Sequence, residues 1–537
     1  MPGQMTRIAV PIFVRDSAEV AAALGKAQRA AADGARLIEW RVDALPNESA
    51  EGIQPAIDLI KESPLPCILT RRTVDEGGEC TENDIQRGVF FGAIAHCGFL
   101  PKFFDFELAS FQKHESSWRS VLNIDEHEVS LILSCHDFDG RPADLIQRVE
   151  AMTNEPACDV IKLVWMARSL RDNLEAFDLL SERRKPMIAL CMGRFGLMSR
   201  VLAPKFGGLV TYACLEVGEA SAPGQPTVEE LHDLYRFDRI GPATKVYGVI
   251  GWPVEHSLGP RMHNAGFEAV EHDGVYLPLP IPPEYEHFKA TVGSFVDHER
   301  LDFRGASVTI PHKENLLRFV KERGGTVDPL AERIGAANTL VVEDDGTLAC
   351  INTDAPAAID ALCKGMEIQR AELDGRRVAV LGAGGVARAV VAALCDAGAS
   401  VTIFNRTKDR AETLVAQQKA ATVGRAGIDV GDVDALSQGS AGRFQIYINC
   451  TSLGMAGGPD ADQSPLPDDA PLDEDTTVFD TVYTPCRTPL IRHSEARGAR
   501  TIFGVEMFLA QAAMQFEHWT GKPAPIDVFR TALEGPP

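Results

Sequence analysis

Eight short apolar runs, at residues 7–12, 36–43, 66–73, 103–108, 129–136, 159–165, 186–192 and 209–215, recur through the first part of this 537-residue chain. Helix-length segments separate them. Strand-length runs alternating with helices require crossover connections and parallel pairing, and eight such units within roughly 200–250 residues predict a (β/α)8 barrel. A barrel of this kind carries its chemistry at the carboxyl ends of its strands. The polar residues there are therefore the ones to read. Glu39, Arg41 and Asp43 alternate along the second run and share one face. Arg72 ends the third run with Glu76 just beyond it, His136 ends the fifth, and Lys162 lies within the sixth.

Lys162 is flanked by Val160, Ile161, Leu163 and Val164. Burying an ammonium is expensive, and desolvation lowers a lysine pKa, as an amine that attacks a ketone requires. The His136 imidazole would move protons near neutrality. Periodicity alone also accommodates a lysine snorkelling from a strand end and a satisfied core histidine.

The second part of the chain has a different grammar. Arg377-Val-Ala-Val-Leu381 reads as a buried strand, followed by the loop Gly382-Ala-Gly-Gly-Val-Ala387 and an alanine-rich helix. The next strand, Val401–Phe404, ends in Asn405-Arg-Thr407, with Arg410 one turn on. Strand, glycine turn, helix and strand in that order are the context of a dinucleotide fingerprint, in which the backbone approaches the pyrophosphate at a helix N-terminus. An NAD enzyme usually places Asp or Glu at the end of the second strand; Arg406 and Arg410 favour a 2′-phosphate, hence NADP. Solvated arginines at a helix start are the plainer alternative. Phe237–Thr244, with its Gly and Pro, is the expected linker.

Composition narrows the partners. A formal charge of −23 argues against nucleic acid. No apolar stretch reaches membrane-spanning length, and Met1 runs almost directly into the first strand, so a signal or transit peptide is not expected. Twelve scattered cysteines without a Cys-x-x-Cys pair suggest neither zinc nor a disulfide framework, and a reducing cytoplasm is expected. Oligomeric state is not legible.

Several motifs then occur together in one order: Glu39-Trp-Arg-Val-Asp43, Arg72-Thr-Val-Asp-Glu-Gly-Gly78, Phe104-Asp-Phe-Glu-Leu108, Ser134-Cys-His-Asp-Phe138, Lys162, Gly196-Leu-Met-Ser-Arg200 and Ser221-Ala-Pro-Gly-Gln225. Residues 7–235 thereby resemble type I 3-dehydroquinate dehydratases. The resemblance implies that Lys162 forms a Schiff base with the C3 ketone, and that His136 removes the C2 proton and assists the C1 hydroxyl, supported by Glu76. It also implies that no metal takes part, and that Glu39, Arg41, Arg72, Arg200, Ser221 and Gln225 hold substrate. One departure stands out: Trp165 replaces an expected smaller residue, which would reshape the pocket wall.

From about Lys245 onward, Gly251-Trp-Pro-Val-Glu-His-Ser257, Val308-Thr-Ile-Pro-His-Lys313, Gly335-Ala-Ala-Asn-Thr339, Asn352-Thr-Asp354, Asn449-Cys-Thr-Ser-Leu-Gly-Met455, Asp480-Thr-Val-Tyr483 and Gly504-Val-Glu-Met507 with Gln511 resemble shikimate dehydrogenases. The resemblance implies Lys313 and Asp354 as the catalytic pair, and substrate contacts from Ser257, Thr309, Asn338, Tyr483 and Gln511. NADP would be held by Gly382, Ala383, Gly384, Gly385, Ala387, Asn405, Arg406, Thr407, Arg410, Thr451 and Met507. Outside the family, Lys313 would pass for a surface lysine and Asp354 for a helix N-cap.

The expected organisation is a dehydratase barrel at 1–236, a linker at 237–244, a substrate lobe at 245–360 rejoined by 505–537, and a Rossmann NADP domain at 361–504. Together the halves imply two consecutive reactions, from 3-dehydroquinate through 3-dehydroshikimate to shikimate. Two rival readings are a quinate/shikimate dehydrogenase of quinate breakdown and a catalytically silent metabolite sensor. His256-Ser-Leu-Gly-Pro260 bears on the first, because Gly259 stands where shikimate dehydrogenases usually have a second serine. The loss could admit quinate, or glycine could suit the local turn.

Overall fold

The computed structural model describes residues 5–46, 50–114, 118, 129–421, 427–439, 442–458 and 460–534. The chain forms two compact units: Met1–Lys245 with the short segments 273–280 and 297–302, and the remainder from Val246. No helix among the described residues is long and apolar enough to cross a membrane.

The first unit holds β1 (Arg7–Phe13), β2 (Leu37–Arg41), β3 (Cys67–Thr70), β4 (Phe103–Glu107), β5 (Ser130–Asp137), β6 (Val160–Met166), β7 (Met187–Met192) and β8 (Val210–Tyr212). They form one eight-stranded sheet in the order β7-β6-β5-β4-β3-β2-β1-β8, a nearly closed parallel barrel. All eight expected runs are strands. The last is shorter than its apolar run because Cys214 bridges Thr227 instead of extending the sheet.

Strand alternation sorts the barrel interior into layers. Leu37, Phe103, Val160 and Val210, from β2, β4, β6 and β8, belong to one buried apolar cluster with Ile68 and Ile132. Two residues further along the same even strands stand Glu39, Asp105, Lys162 and Tyr212. From Tyr212 to Glu39, Glu39 to Asp105 and Asp105 to Lys162 the register steps by two residues each time, as in a layer of a barrel sheared by about eight residues. Thr70 and Ser134 follow Ile68 and Ile132 in the same way. An apolar plug thus gives way to polar layers toward the carboxyl ends.

Trp165 is three residues from Lys162 on β6 and so faces outward, where it is buried under the helices. It does not shape the pocket wall; the expectation overlooked strand parity. The segment 237–244 is tethered rather than loose: the Lys205 ammonium donates to the carbonyls of Pro242 at 2.9 Å and Thr244 at 2.7 Å.

Beyond the barrel, β9 (Lys245–Gly251), β10 (Gly274–Pro280), β11 (Phe303–Val308), β12 (Thr326–Val327), β13 (Thr339–Val342) and β14 (Leu348–Ile351) form a mixed sheet in the order β10-β9-β11-β13-β14-β12. A second sheet contains β15 (Arg377–Leu381), β16 (Ser400–Phe404), β17 (Ile428–Gly431), β18 (Ile446–Asn449), β19 (Thr477–Asp480) and β20 (Arg500–Ile502). Its order, β17-β16-β15-β18-β19-β20, is the all-parallel doubly wound arrangement, with its switch point between β15 and β18. The helix Asp354–Met366 runs through position 360 and packs into the core of this second sheet through Ala357, Ala358, Ile359, Ala361, Leu362 and Cys363. The helix Gly504–Thr520 returns to the first sheet, where Gln515 accepts from Ser307 at 2.7 Å and Trp519 Nε1 donates to the Leu340 carbonyl at 2.9 Å.

Two candidate active sites

In the barrel, Lys162 Nζ donates to Asp105 Oδ2 at 2.8 Å and to Glu39 Oε1 at 3.3 Å. Asp105 Oδ1 also accepts from Arg72 at 2.6 Å and from Ser134 Oγ at 2.7 Å. Glu39 accepts from Thr70 Oγ1 at 2.9 Å. Burial by itself would lower the Lys162 pKa, but the charges of Asp105 and then Glu39 outweigh it and hold the amine above its ordinary value. This corrects the expectation of a depressed lysine. Lys162 rests as a paired ammonium.

One layer higher, His136 Nδ1 lies 2.9 Å from Glu76 Oε2, and the His136 backbone N–H donates to the same oxygen at 3.0 Å. Burial pushes the Glu76 carboxyl up to about 8, partly offset by Arg72 and reinforced by Glu107 and Asp105. Burial, followed by the positive charges of Arg72 and Lys162, holds His136 well below its ordinary value. A neutral imidazole is the form that can accept a proton.

The residues expected from sequence to hold substrate fall into two groups. Arg41 and Arg72 are already engaged, Arg41 with Asp43 at 2.6 Å and Arg72 with Asp105 at 2.6 Å and Glu107 at 3.3 Å. Their forks brace the site from within. Arg200 is different. It is buried with no ion pair among the described residues, its Nε meets no acceptor, and burial lowers its pKa to about 10. A guanidinium so placed suits an incoming carboxylate. Ser221 and Gln225 hold each other, with Gln225 Nε2 donating to Ser221 Oγ at 3.1 Å.

Asp105, Ser134, Thr70, Glu107 and Arg87 had no role assigned from sequence. Glu107 receives Arg87 from outside the sheet and the Thr73 N–H at 3.0 Å, so it links Arg72 to the turn bearing Glu76. The signal was present: Asp105 and Glu107 alternate after Phe103 as Glu39 and Arg41 do after Leu37.

In the second unit, Lys313 Nζ donates to Asp354 Oδ2 at 2.6 Å. Asn338 Nδ2 donates to Asp354 Oδ1 and to Thr353 Oγ1, both at 2.9 Å. Asp354 is not the N-cap, since it is the first residue of its helix; Thr353 holds the cap position, and Asn352 before it accepts from the Ala355 N–H at 3.1 Å. Lys313 is buried and is no surface lysine. Tyr483 stacks on Phe508 with ring centroids 4.3 Å apart, and Gln511 Nε2 donates to the Phe508 carbonyl at 3.0 Å. Thr309 is partly buried beside Gly251, where an added Cβ would come within 2.5 Å of Thr309 Cγ2. Ser257 Oγ accepts from the Gly259 N–H at 3.2 Å.

The glycine loop fits a dinucleotide. Gly382 has φ +110°, and a Cβ there would meet Thr451 Cγ2 at 3.0 Å and the Cys450 carbonyl at 3.1 Å. Thr451 is fixed by its hydroxyl donating to Asn449 Oδ1 at 2.7 Å. A Cβ on Gly384 would stand in open space at the N-terminus of the helix Gly385–Asp396, where a pyrophosphate needs room. Ala383 and Ala387 are buried in the core beneath, with Met507 against it. Asn405 Nδ2 donates to the Thr407 carbonyl at 2.7 Å, leaving Arg406 and Arg410 exposed with no ion pair among the described residues.

Comparison with known proteins follows the same division. Residues 8–242 match the type I 3-dehydroquinase family and 249–340 the shikimate dehydrogenase substrate binding domain. Residues 366–429 match shikimate / quinate 5-dehydrogenase and 504–534 the shikimate 5'-dehydrogenase C-terminal domain. The chain is 36% identical over 507 residues to a chloroplastic bifunctional 3-dehydroquinate dehydratase/shikimate dehydrogenase of Arabidopsis thaliana, covering 92% of this chain and 79% of that protein. It is 42% identical to a shikimate dehydrogenase (NADP(+)) of Methanocella arvoryzae, over 53% of this chain and 96% of that one. It is also 42% identical to one of Paramagnetospirillum magneticum, over 52% and 93%.

Proposed function

The chain belongs to the bifunctional 3-dehydroquinate dehydratase/shikimate dehydrogenase family, and on that premise we propose how its own residues divide the two reactions. The barrel dehydrates 3-dehydroquinate to 3-dehydroshikimate, and the second unit reduces that product to shikimate with NADP as cofactor. A catalytically silent sensor does not fit a chain of this family.

In the barrel, Lys162 yields a proton and attacks the C3 ketone. Condensation releases water and leaves an iminium, which draws electrons from C2. Neutral His136, oriented by Glu76, removes the C2 proton and returns it to the departing C1 hydroxyl. Hydrolysis of the iminium frees the product and the lysine. Arg200 receives the substrate carboxylate, and Glu39, Ser221 and Gln225 meet its hydroxyls. The observation that carries this reading is Lys162 itself, buried in the barrel between Asp105 and Glu39. Borohydride added with 3-dehydroquinate tests it. Substrate mass fixed on the Lys162 peptide is expected, and Lys162→Ala should lose dehydration while keeping dehydrogenase activity. Fixation at another lysine would sink the assignment.

In the dehydrogenase, Lys313 and Asp354 hold and relay the proton at the C3 oxygen, with Asn338 fixing the carboxylate from its far side. NADPH, when bound, supplies the hydride. Ser257, Thr309, Tyr483 and Gln511 are proposed to orient the ring. The glycine loop with Thr451 would hold the pyrophosphate end, and Arg406 and Arg410 the 2′-phosphate.

Gly259 favours a second substrate. It opens the helix Gly259–Ala269, and its φ is not in the left-handed region. Its φ therefore does not demand glycine, although the position is buried and a side chain there would have to be accommodated by its neighbours. We propose that the absence of a serine side chain at this position lets the site accept the added C1 hydroxyl of quinate.

A further inference from the structure

We infer that Tyr212 is a further catalytic residue of the dehydratase, whose ring face shares the positive charge of the Lys162 nitrogen as that nitrogen gives up one of its two hydrogen bonds. The inference rests on the Schiff-base reading above. Lys162 Nζ lies 4.6 Å from the centroid of the Tyr212 ring. Tyr212 ends β8 and belongs to the same interior layer as Glu39, Asp105 and Lys162. It is 5% exposed, so little water competes for its face.

The argument is a count of donors. A lysine ammonium has three N–H groups. Condensation, R–NH3+ plus O=C giving R–NH+=C plus H2O, conserves charge and leaves one. The resting nitrogen donates to two carboxylates, Asp105 at 2.8 Å and Glu39 at 3.3 Å. Only one bond can survive. Asp105 is pinned by Arg72 and Ser134 and keeps its place, whereas Glu39, braced by Thr70, loses its donor. A ring face needs no N–H, because its quadrupole attracts the charge itself. That attraction grows when the cation is desolvated. Tyr212 thus persists beside Asp105 as a partner of the nitrogen from ammonium through iminium.

The test is the rate of borohydride trapping of the full-length protein with 3-dehydroquinate. Tyr212→Phe keeps the ring and should trap within about twofold of the parent. Tyr212→Leu removes it and should trap on the order of 10- to 30-fold more slowly, with KM little changed. A series of increasingly fluorinated phenylalanines at position 212 preserves volume while draining the ring face, so it decides the matter even if the leucine variant does not fold. A stepwise fall along that series is expected. A flat series, or a phenylalanine variant as slow as leucine, overturns the role of the ring. Failure of the parent itself to trap at Lys162 would instead remove the Schiff-base reading, and this inference with it.

Discussion

Lys162 Nζ and Asp105 Oδ2 meet at 2.8 Å inside the barrel, and both side chains are almost fully buried. Asp105 is held anionic although burial opposes it, because Arg72 and Lys162 outweigh the desolvation. The Lys162 amine is thus stored in its charged form, and the proposed attack on the ketone requires it to release a proton first.

Asp105→Asn should lower the Lys162 pKa, because it deletes the larger of the two charges that raise it. The pH profile of imine trapping should move to lower pH, while kcat for dehydration falls roughly 10- to 100-fold as the iminium loses its anion. Leaving Arg72 and Lys162 short of a partner should destabilise the barrel by about 3 kcal/mol. An unshifted trapping profile would mean that Asp105 does not set the state of the lysine.

Glu76 gives a pH signature in stability. Its folded pKa of about 8 lies above the unfolded value, so its contribution is fully present below the unfolded pKa, about 4.3. It is lost as pH rises through about 8. The barrel of the parent protein should therefore melt lower at pH 9 than at pH 6. Glu76→Gln should flatten that dependence in thermal melts at the two pH values.

His136 is kept neutral well below its ordinary titration range, so the acid limb of dehydration should lie below pH 6.5. Arg72→Gln removes one of the positive charges that depress it and should shift that limb upward. An unchanged acid limb in kcat/KM would assign the limb to another group.

Arg406→Ala and Arg410→Ala should each raise the KM for NADPH about tenfold, the lower end for a charge-assisted contact at an exposed site, and leave that for NADH nearly unchanged. Equal effects on both cofactors would mean that neither arginine reads the 2′-phosphate.

Gly259→Ser should strengthen shikimate binding by roughly 1.5 kcal/mol if the hydroxyl reaches the substrate carboxylate, and should abolish any quinate oxidation. Steady-state assays with both substrates check it. A parent enzyme inert toward quinate, with a mutant no better on shikimate, would leave the glycine without a role in selectivity.

Much of the architecture was legible because it rests on periodicity. Eight apolar runs became eight barrel strands, and the glycine turn after Leu381 lies at the switch point of the doubly wound sheet. His136 with Glu76 and Lys313 with Asp354 are within hydrogen-bond reach of one another. The misread charge state of Lys162 has a physical origin in the barrel's closure. Alternation says which residues share a face of a strand, but the barrel's shear decides who stands opposite across the interior. Asp105 meets Lys162 over a sequence separation of 57 residues. Its carboxylate reverses the pKa shift that burial alone would impose. Only parity counted within a defined strand turns Trp165 away from the pocket, and only the helix start at Asp354 moves the cap position to Thr353. Residue types and spacing determined which chemistries this chain could hold. The tertiary structure decided the charge states and partners, because electrostatic energies in a buried site depend on distances that no local pattern encodes.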